Sequence, residues 1–185
     1  MKLLAIFAAV TTYANIPYGP EDFDYYTLTL TWPTGHCITT HCKEGFNENK
    51  FLIHGLWPTR YDGQHPQHCS KKMLLISDET KARLNPLMKS SKYSNEDFWQ
   101  HEWTKHGSCM FSDAEEYFEK TLDLYDQFTP EKIFKRFGFY PDQAEHLHYN
   151  TLQSYFKRNV MPRCYHTSKD YFLTELAICF DEDFN

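Results

Sequence analysis

Six cysteines, Cys37, Cys42, Cys69, Cys109, Cys164 and Cys179, lie among 185 residues. What an even count means depends on the redox compartment, and the N-terminus speaks to that. "MKLLAIFAAVTTYA" has a positive charge at Lys2, an apolar run from Leu3 to Val10 and small residues around Ala14. This is the layout of a cleavable secretory leader. The run is too short to cross a bilayer as a helix, and no later run is longer. We therefore expect a leader over 1–14 and a single domain over 15–185, routed by the secretory pathway to a secreted or lysosomal/vacuolar destination. In an oxidising compartment six cysteines read as a disulfide framework, and which pairs with which stays open at this point. None stands in a Cys-x-x-Cys pair, which disfavours a zinc ribbon or a thioredoxin-like motif.

The charge balance argues against a strongly basic nucleic-acid binder. Lys and Arg number 19 against 25 Asp and Glu, a formal charge of −6, or −7 once Lys2 leaves with the leader. Ten histidines change the picture in acid: protonating all of them carries −7 to +3. The sign of the charge can therefore switch in an acidic compartment.

Hydrophobic periodicity gives the elements. "FDYYTLTLTW" (23–32) alternates, with Tyr26, Leu28, Leu30 and Trp32 on one face and Thr27, Thr29 and Thr31 on the other, which predicts a half-buried strand. "KFLIHGLWP" predicts a second strand, stopped by Gly55 and Pro58, with His54 near its end. Residues 59–72 read as a loop. Ser94 with Asp97 predicts a helix start and Gly107 its end. Ser112-x-x-Glu115 predicts a capping box for a helix with the stripe Tyr117, Phe118, Leu122 and Tyr125. Further helices are expected from Thr129-Pro130 and from Asn150-x-x-Gln153, the latter stopping before Pro162. "YFLTELAICF" alternates again, with Phe172, Leu176, Ile178 and Phe180 on one face. Strands at both ends with helices between predict an α+β fold: a central, mainly antiparallel sheet flanked by several helices.

Between these elements "HEWTKHGSC" (101–109) packs two histidines, a glutamate and a lysine into six positions. On a helix His101 lies beside Lys105 and Glu102 beside His106. A zinc-protease helix stacks its histidines at i and i+4. Here they are five apart, about 140° round the axis, so no metal site is expected. Two proton carriers, a carboxylate and a fixed cation suit displacement at phosphorus: a base takes a proton from the attacking oxygen, and cations steady the phosphoryl charge. His54 in "FLIHGLWP" can supply the missing acid, and Trp57 a stacking surface for a base. Each residue also has a plain alternative. Glu102 and Lys105 suit a solvated helix face, and Trp57, Trp99 and Trp103 suit a core.

"FLIHGLWPTR" and "FWQHEWTKHGSC" together resemble the two signature segments of the ribonuclease T2 family of acid endoribonucleases. "FDYYTLTLTWPTGHC" and "LTELAICFDED" resemble its first and last strands. The resemblance implies cleavage of single-stranded RNA, not DNA, through a 2′,3′-cyclic phosphate. A monomer acting without cofactor or membrane is expected, and a pair of histidines of which one must be protonated and one neutral predicts an acidic rate maximum. It implies His54 as general acid, His106 as general base, Glu102 and Lys105 as stabilisers of the pentacoordinate phosphorus and His101 as a phosphate contact. It implies base contacts at Trp57, Thr59, His65 and Phe98. It implies Cys69–Cys109 and Cys164–Cys179, leaving Cys37–Cys42. Three positions depart from the family's pattern: Thr59 where Asp is common, His65 where Tyr is, and Thr31 where Gln is. A threonine hydroxyl both donates and accepts, so low base specificity is expected. A binding protein on the same scaffold with idle catalytic residues is the rival reading, and a metal-dependent hydrolase a more distant one.

Overall fold

The segment 23–32 forms strand β1 (Tyr25–Thr31), as its alternation predicts, but it is not half-buried. Leu28 and Leu30 are in the core, yet Thr27, Thr29 and Thr31 are also only 3%, 0% and 6% exposed. The reason is position. In the computed structural model, which describes residues 22–184 except 47, 129–149, 151–153 and 155–159, β1 is interior to a four-stranded sheet. Strand β2 (Leu52–Thr59) and β4 (Tyr171–Phe180) pair with it on either side, and β3 (Val160–His166) lies outside β4. All three pairings are antiparallel.

Among the described residues the sheet is accompanied by the helices α1 (Pro33–Thr39), α2 (Asp78–Leu84), α3 (Asn95–Lys105) and α4 (Ala114–Gln127). The α+β expectation holds. The core joins Leu28, Leu30, Leu56, Leu176, Ile178 and Phe180 from the sheet to Trp99, Trp103, Tyr117, Phe118, Leu122 and Tyr125 from α3 and α4. The predicted α4 stripe is thus buried as a unit. Trp99 and Trp103 take their plain reading as core, their indoles donating to the carbonyls of Met88 (2.8 Å) and Lys72 (3.1 Å).

Ser94 caps α3 by accepting from the Asp97 N–H, as expected. The cap of α4 sits one residue later than predicted: Asp113 accepts from the Glu116 N–H. Helices α1 and α2 and strand β3 escaped the sequence reading. Pro162 explains part of this. It lies in β3, an edge strand, where a missing N–H donor is tolerated. The leader and the helix expected from Thr129 lie outside the described residues; of the helix expected from Asn150 only Asn150 and Ser154 are described, both helical. Among those described, no helix is long and apolar enough to cross a membrane.

Two irregularities shape the sheet. Opposite β1, Thr29 pairs with Gly55 and Leu30 with Ile53, so His54 is an extra residue in β2. Opposite β3, Arg163 pairs with Glu175 and Cys164 with Leu173, so Thr174 is extra in β4. Such β-bulges shift the alternation and re-aim side chains. Hence Ile53 and Leu56, three apart, both reach the core, and Leu173 rather than the predicted Phe172 joins it. His54 therefore stands third in β2, at a bulge, not near the strand's end.

The disulfides Cys37–Cys42 and Cys69–Cys109 are formed. Cys164 and Cys179 are free thiols, which corrects the third expected pair. Cys164 faces Leu173 and Cys179 faces Thr27. Six residues of β4, about 20 Å, separate those positions, well beyond the span of a disulfide.

Candidate active site

The bulge in β2 and the last turns of α3 meet at one cavity of about 630 Å³. His54 and Trp57 enter from the strand; His101, Glu102, Lys105 and His106 enter from the helix and its C-cap. Rings run in contact through the site. His54 lies 5.8 Å from Phe98 and 5.0 Å from Trp57, and Trp57 stacks on His106 at 5.0 Å between centroids.

Glu102 is the hub. It is only 2% exposed, and its Oε2 accepts from the Trp57 indole at 2.9 Å. Its Oε1 lies 3.8 Å from His54 Nε2 and 4.0 Å from His101 Nε2. Such an approach needs a bare strand. A Cβ on Gly55 would lie 2.3 Å from Glu102 Oε2 and 2.7 Å from the Trp57 indole nitrogen. Gly55→Ala should therefore lower unfolding free energy by about 1–3 kcal/mol through overpacking. Chemical denaturation checks this; an unchanged midpoint would show that Glu102 has room to retreat.

The two histidines differ in proton affinity. Burial works against charge on His54, but a 2.6 Å hydrogen bond from its Nδ1 to Glu175 Oε1 and the Glu102 carboxylate outweigh it and raise its pKa. His106 has no such partner. Burial, then the charges of Lys105, His54 and His101, push it down to about 3, and its buried Nδ1 makes no hydrogen bond among the described residues. Opposite displacement in one cavity sorts an acid from a base. Glu102 itself is raised, burial outweighing the His54, Trp57 and Lys105 interactions.

Sequence comparison bears on the same segments. The sequence pattern of the Ribonuclease T2 family matches residues 23–185. The chain belongs to the ribonuclease T2 family. It is 31% identical to ribonuclease DdI of Dictyostelium discoideum over 131 residues, 68% of this chain and 59% of that protein. It is 32% identical to ribonuclease 1 of Arabidopsis thaliana over 154 residues, 77% and 66% of the respective chains. The chain thus matches under two thirds of the length of these T2 relatives. Among solved structures it is similar to the self-incompatibility associated SF11-RNase of Nicotiana alata, with a TM-score of 0.77, 25% identity and 89% of each chain covered. A variant of RNase MC1 in complex with 5′-GMP gives a TM-score of 0.77 and 25% identity over 89% of this chain and 92% of that one.

Of the nine catalytic and substrate-binding residues that the T2 resemblance implied, eight line the cavity: His54, Trp57, His65, Phe98, His101, Glu102, Lys105 and His106. Thr59 does not. It is 8% exposed, and its hydroxyl pairs with that of Thr27 at 2.7 Å inside the sheet. The expected base contact at Thr59 is thus corrected: the hydroxyl is spent on the neighbouring strand. Sequence reasoning also missed Glu175 and Arg163. Arg163 Nη1 donates to Glu175 Oε2 at 3.0 Å, and its guanidinium lies over the Trp57 ring at 5.4 Å. One signal for Glu175 was present, a carboxylate inside the apolar run "LTELAICF", since a charge in a buried strand needs a partner.

Proposed function

We propose that this chain is an endoribonuclease that cuts single-stranded RNA by transphosphorylation. The 2′-hydroxyl oxygen attacks the adjacent phosphorus, the 5′-oxygen leaves, and the products carry a 2′,3′-cyclic phosphate and a 5′-hydroxyl. The observation that carries this reading is the pair of histidines in one cavity with proton affinities displaced in opposite directions.

His106, neutral above about pH 3, takes the 2′-hydroxyl proton as general base. His54, with Nδ1 engaged by Glu175, gives the proton of its Nε2 to the leaving 5′-oxygen as general acid. Lys105 offsets charge on the phosphoryl oxygens. Glu102, whose Oε1 faces His54 and His101, holds the groups that surround the phosphoryl oxygens and with Lys105 stabilises the pentacoordinate phosphorus. His101, with a 56% exposed side chain at the cavity, contacts the phosphate. One P–O bond forms as another breaks, one proton is taken and one is given, and no oxidation state changes, so the residues named can carry the reaction without a cofactor. With the Thr59 hydroxyl occupied, the Trp57 and Phe98 rings offer stacking that accepts any base, which favours low base specificity. His65 is the polar side chain nearest this role.

The charge sign switch and the ordered His54–His106 pair favour acidic conditions. T2 relatives in tomato include an extracellular ribonuclease LE and an intracellular ribonuclease LX. For this chain the segment 1–14 supports the secretory route, with 15–185 as one domain acting as a monomer.

The test is purified protein on a single-stranded RNA oligonucleotide with excess chelator, products identified by mass spectrometry. Cyclic-phosphate and 5′-hydroxyl ends are expected, and an all-deoxy strand should stay intact because it lacks the nucleophile. A 5′-phosphate product, or loss of activity with chelator, would replace this mechanism.

A further inference from the structure

Glu175 lies 121 residues from His54 in the chain and touches it directly. The carboxylate is 14% exposed and uses both oxygens: Oε1 on His54 Nδ1 at 2.6 Å and Oε2 on Arg163 at 3.0 Å. Arg163 is its register partner on β3, and Thr31 its partner on β1. The next three residues of β4, Leu176, Ala177 and Ile178, are fully buried. A carboxylate at such a place is costly unless paired and hydrogen-bonded, and here it is both.

We propose that Glu175, clamped by Arg163, is a positioning residue for the general acid: it fixes the His54 ring through Nδ1 and keeps the Nε2 proton on the substrate side. The inference rests on the reading of His54 as that acid. An imidazole whose Nδ1–H is held by a carboxylate has its tautomer and ring orientation set. The same division of labour orders the histidine in serine-protease triads.

Glu102 does not fill this role. It is farther from His54, at 3.8 Å, and is already bonded to Trp57. Burial raises Glu102, whereas Glu175, despite burial, is lowered by His54 and Arg163 and stays ionised. The other charged and titratable groups around His54 are Arg163 on β3, His36 on α1, and His101 and His106 from α3. When charged, each opposes a proton on His54. Without Glu175, His54 would face them with one distant, reluctantly ionised carboxylate.

The test uses Glu175→Gln, which keeps the shape and removes the charge, with Glu175→Asp as the conservative partner. NMR titration follows His54, its resonance identified by loss in His54→Ala. Glu175→Gln should lower the His54 midpoint and move the basic limb of the kcat–pH profile down with it. At the wild-type optimum kcat should fall roughly tenfold, a part of what general acid catalysis supplies, with KM little changed. Glu175→Asp should restore the midpoint and the limb toward wild type. An unmoved His54 midpoint in folded Glu175→Gln, or equal losses in both variants, overturns the inference whatever the activity. A midpoint that moves while the basic limb stays fixed overturns the acid role of His54 itself.

Discussion

Replacing His106 by alanine should slow RNA cleavage by on the order of 10²-fold or more, the usual cost of losing a general base. The fold should survive. The cap bond at this position runs from the backbone N–H of His106 to Glu102 O (3.0 Å) and does not need the side chain. The buried Nδ1 has no hydrogen bond to lose among the described residues. His54→Ala should cost a similar factor for the complementary reason, because the leaving oxygen then departs without a proton. The double variant should be little worse than either single one, since groups that act as a unit are far from additive. Initial rates on single-stranded RNA, with melting curves as a control, check both. Near-wild-type rates in either folded variant would remove that histidine from the mechanism.

Opening the Cys69–Cys109 bridge with a double serine substitution should lower stability by about 4 kcal/mol on the chain-entropy argument. The bridge spans 40 residues, whereas Cys37–Cys42 spans 5. The shorter loop should lose only about 2 kcal/mol on the same argument. The longer bridge also matters to the cavity. It ties the loop carrying His65 to the end of α3, beside Lys105 and His106, and the N–H of His68 donates to the Lys105 carbonyl at 3.0 Å in the same join. Substrate KM should therefore rise in the Cys69→Ser, Cys109→Ser protein and stay near wild type in the Cys37→Ser, Cys42→Ser protein. Denaturant titrations and steady-state kinetics measure the two effects. Equal stability losses would show that loop length is not what sets them.

What the sequence revealed follows from how local each signal is. Ser94, Asp97 and Gly107 bound α3 through contacts within a few residues, so α3 and the sidedness of His101, Glu102, Lys105 and His106 were legible. The stripe from Tyr117 to Tyr125 was legible for the same reason. Gly55 and Pro58 looked like stops because their neighbours were invisible; an edge position for Pro58 and the close approach of Glu102 to Gly55 explain both. The bulges at His54 and Thr174 shift alternation by one residue, and no periodicity analysis of β2 or β4 alone can place them. Thr59 was misjudged because its hydroxyl is satisfied by Thr27, a residue 32 positions earlier. Cys164 and Cys179 misled because strand register, not sequence spacing, decides whether two thiols can meet. Glu175 and Arg163 required the pairing of β4 with β3.

The strand order also sets a timetable. β1 is synthesised long before β4, yet one of its two edges is closed only by β4. Until then β1 presents an open edge, a template for wrong partners, and the long-range closure makes folding slow. The carboxylate that orders His54 arrives with that same strand. A growing chain truncated before Tyr171 carries both histidines but neither a closed sheet nor Glu175. Competence to order the acid is thereby deferred until β4 has been made and has paired with β1.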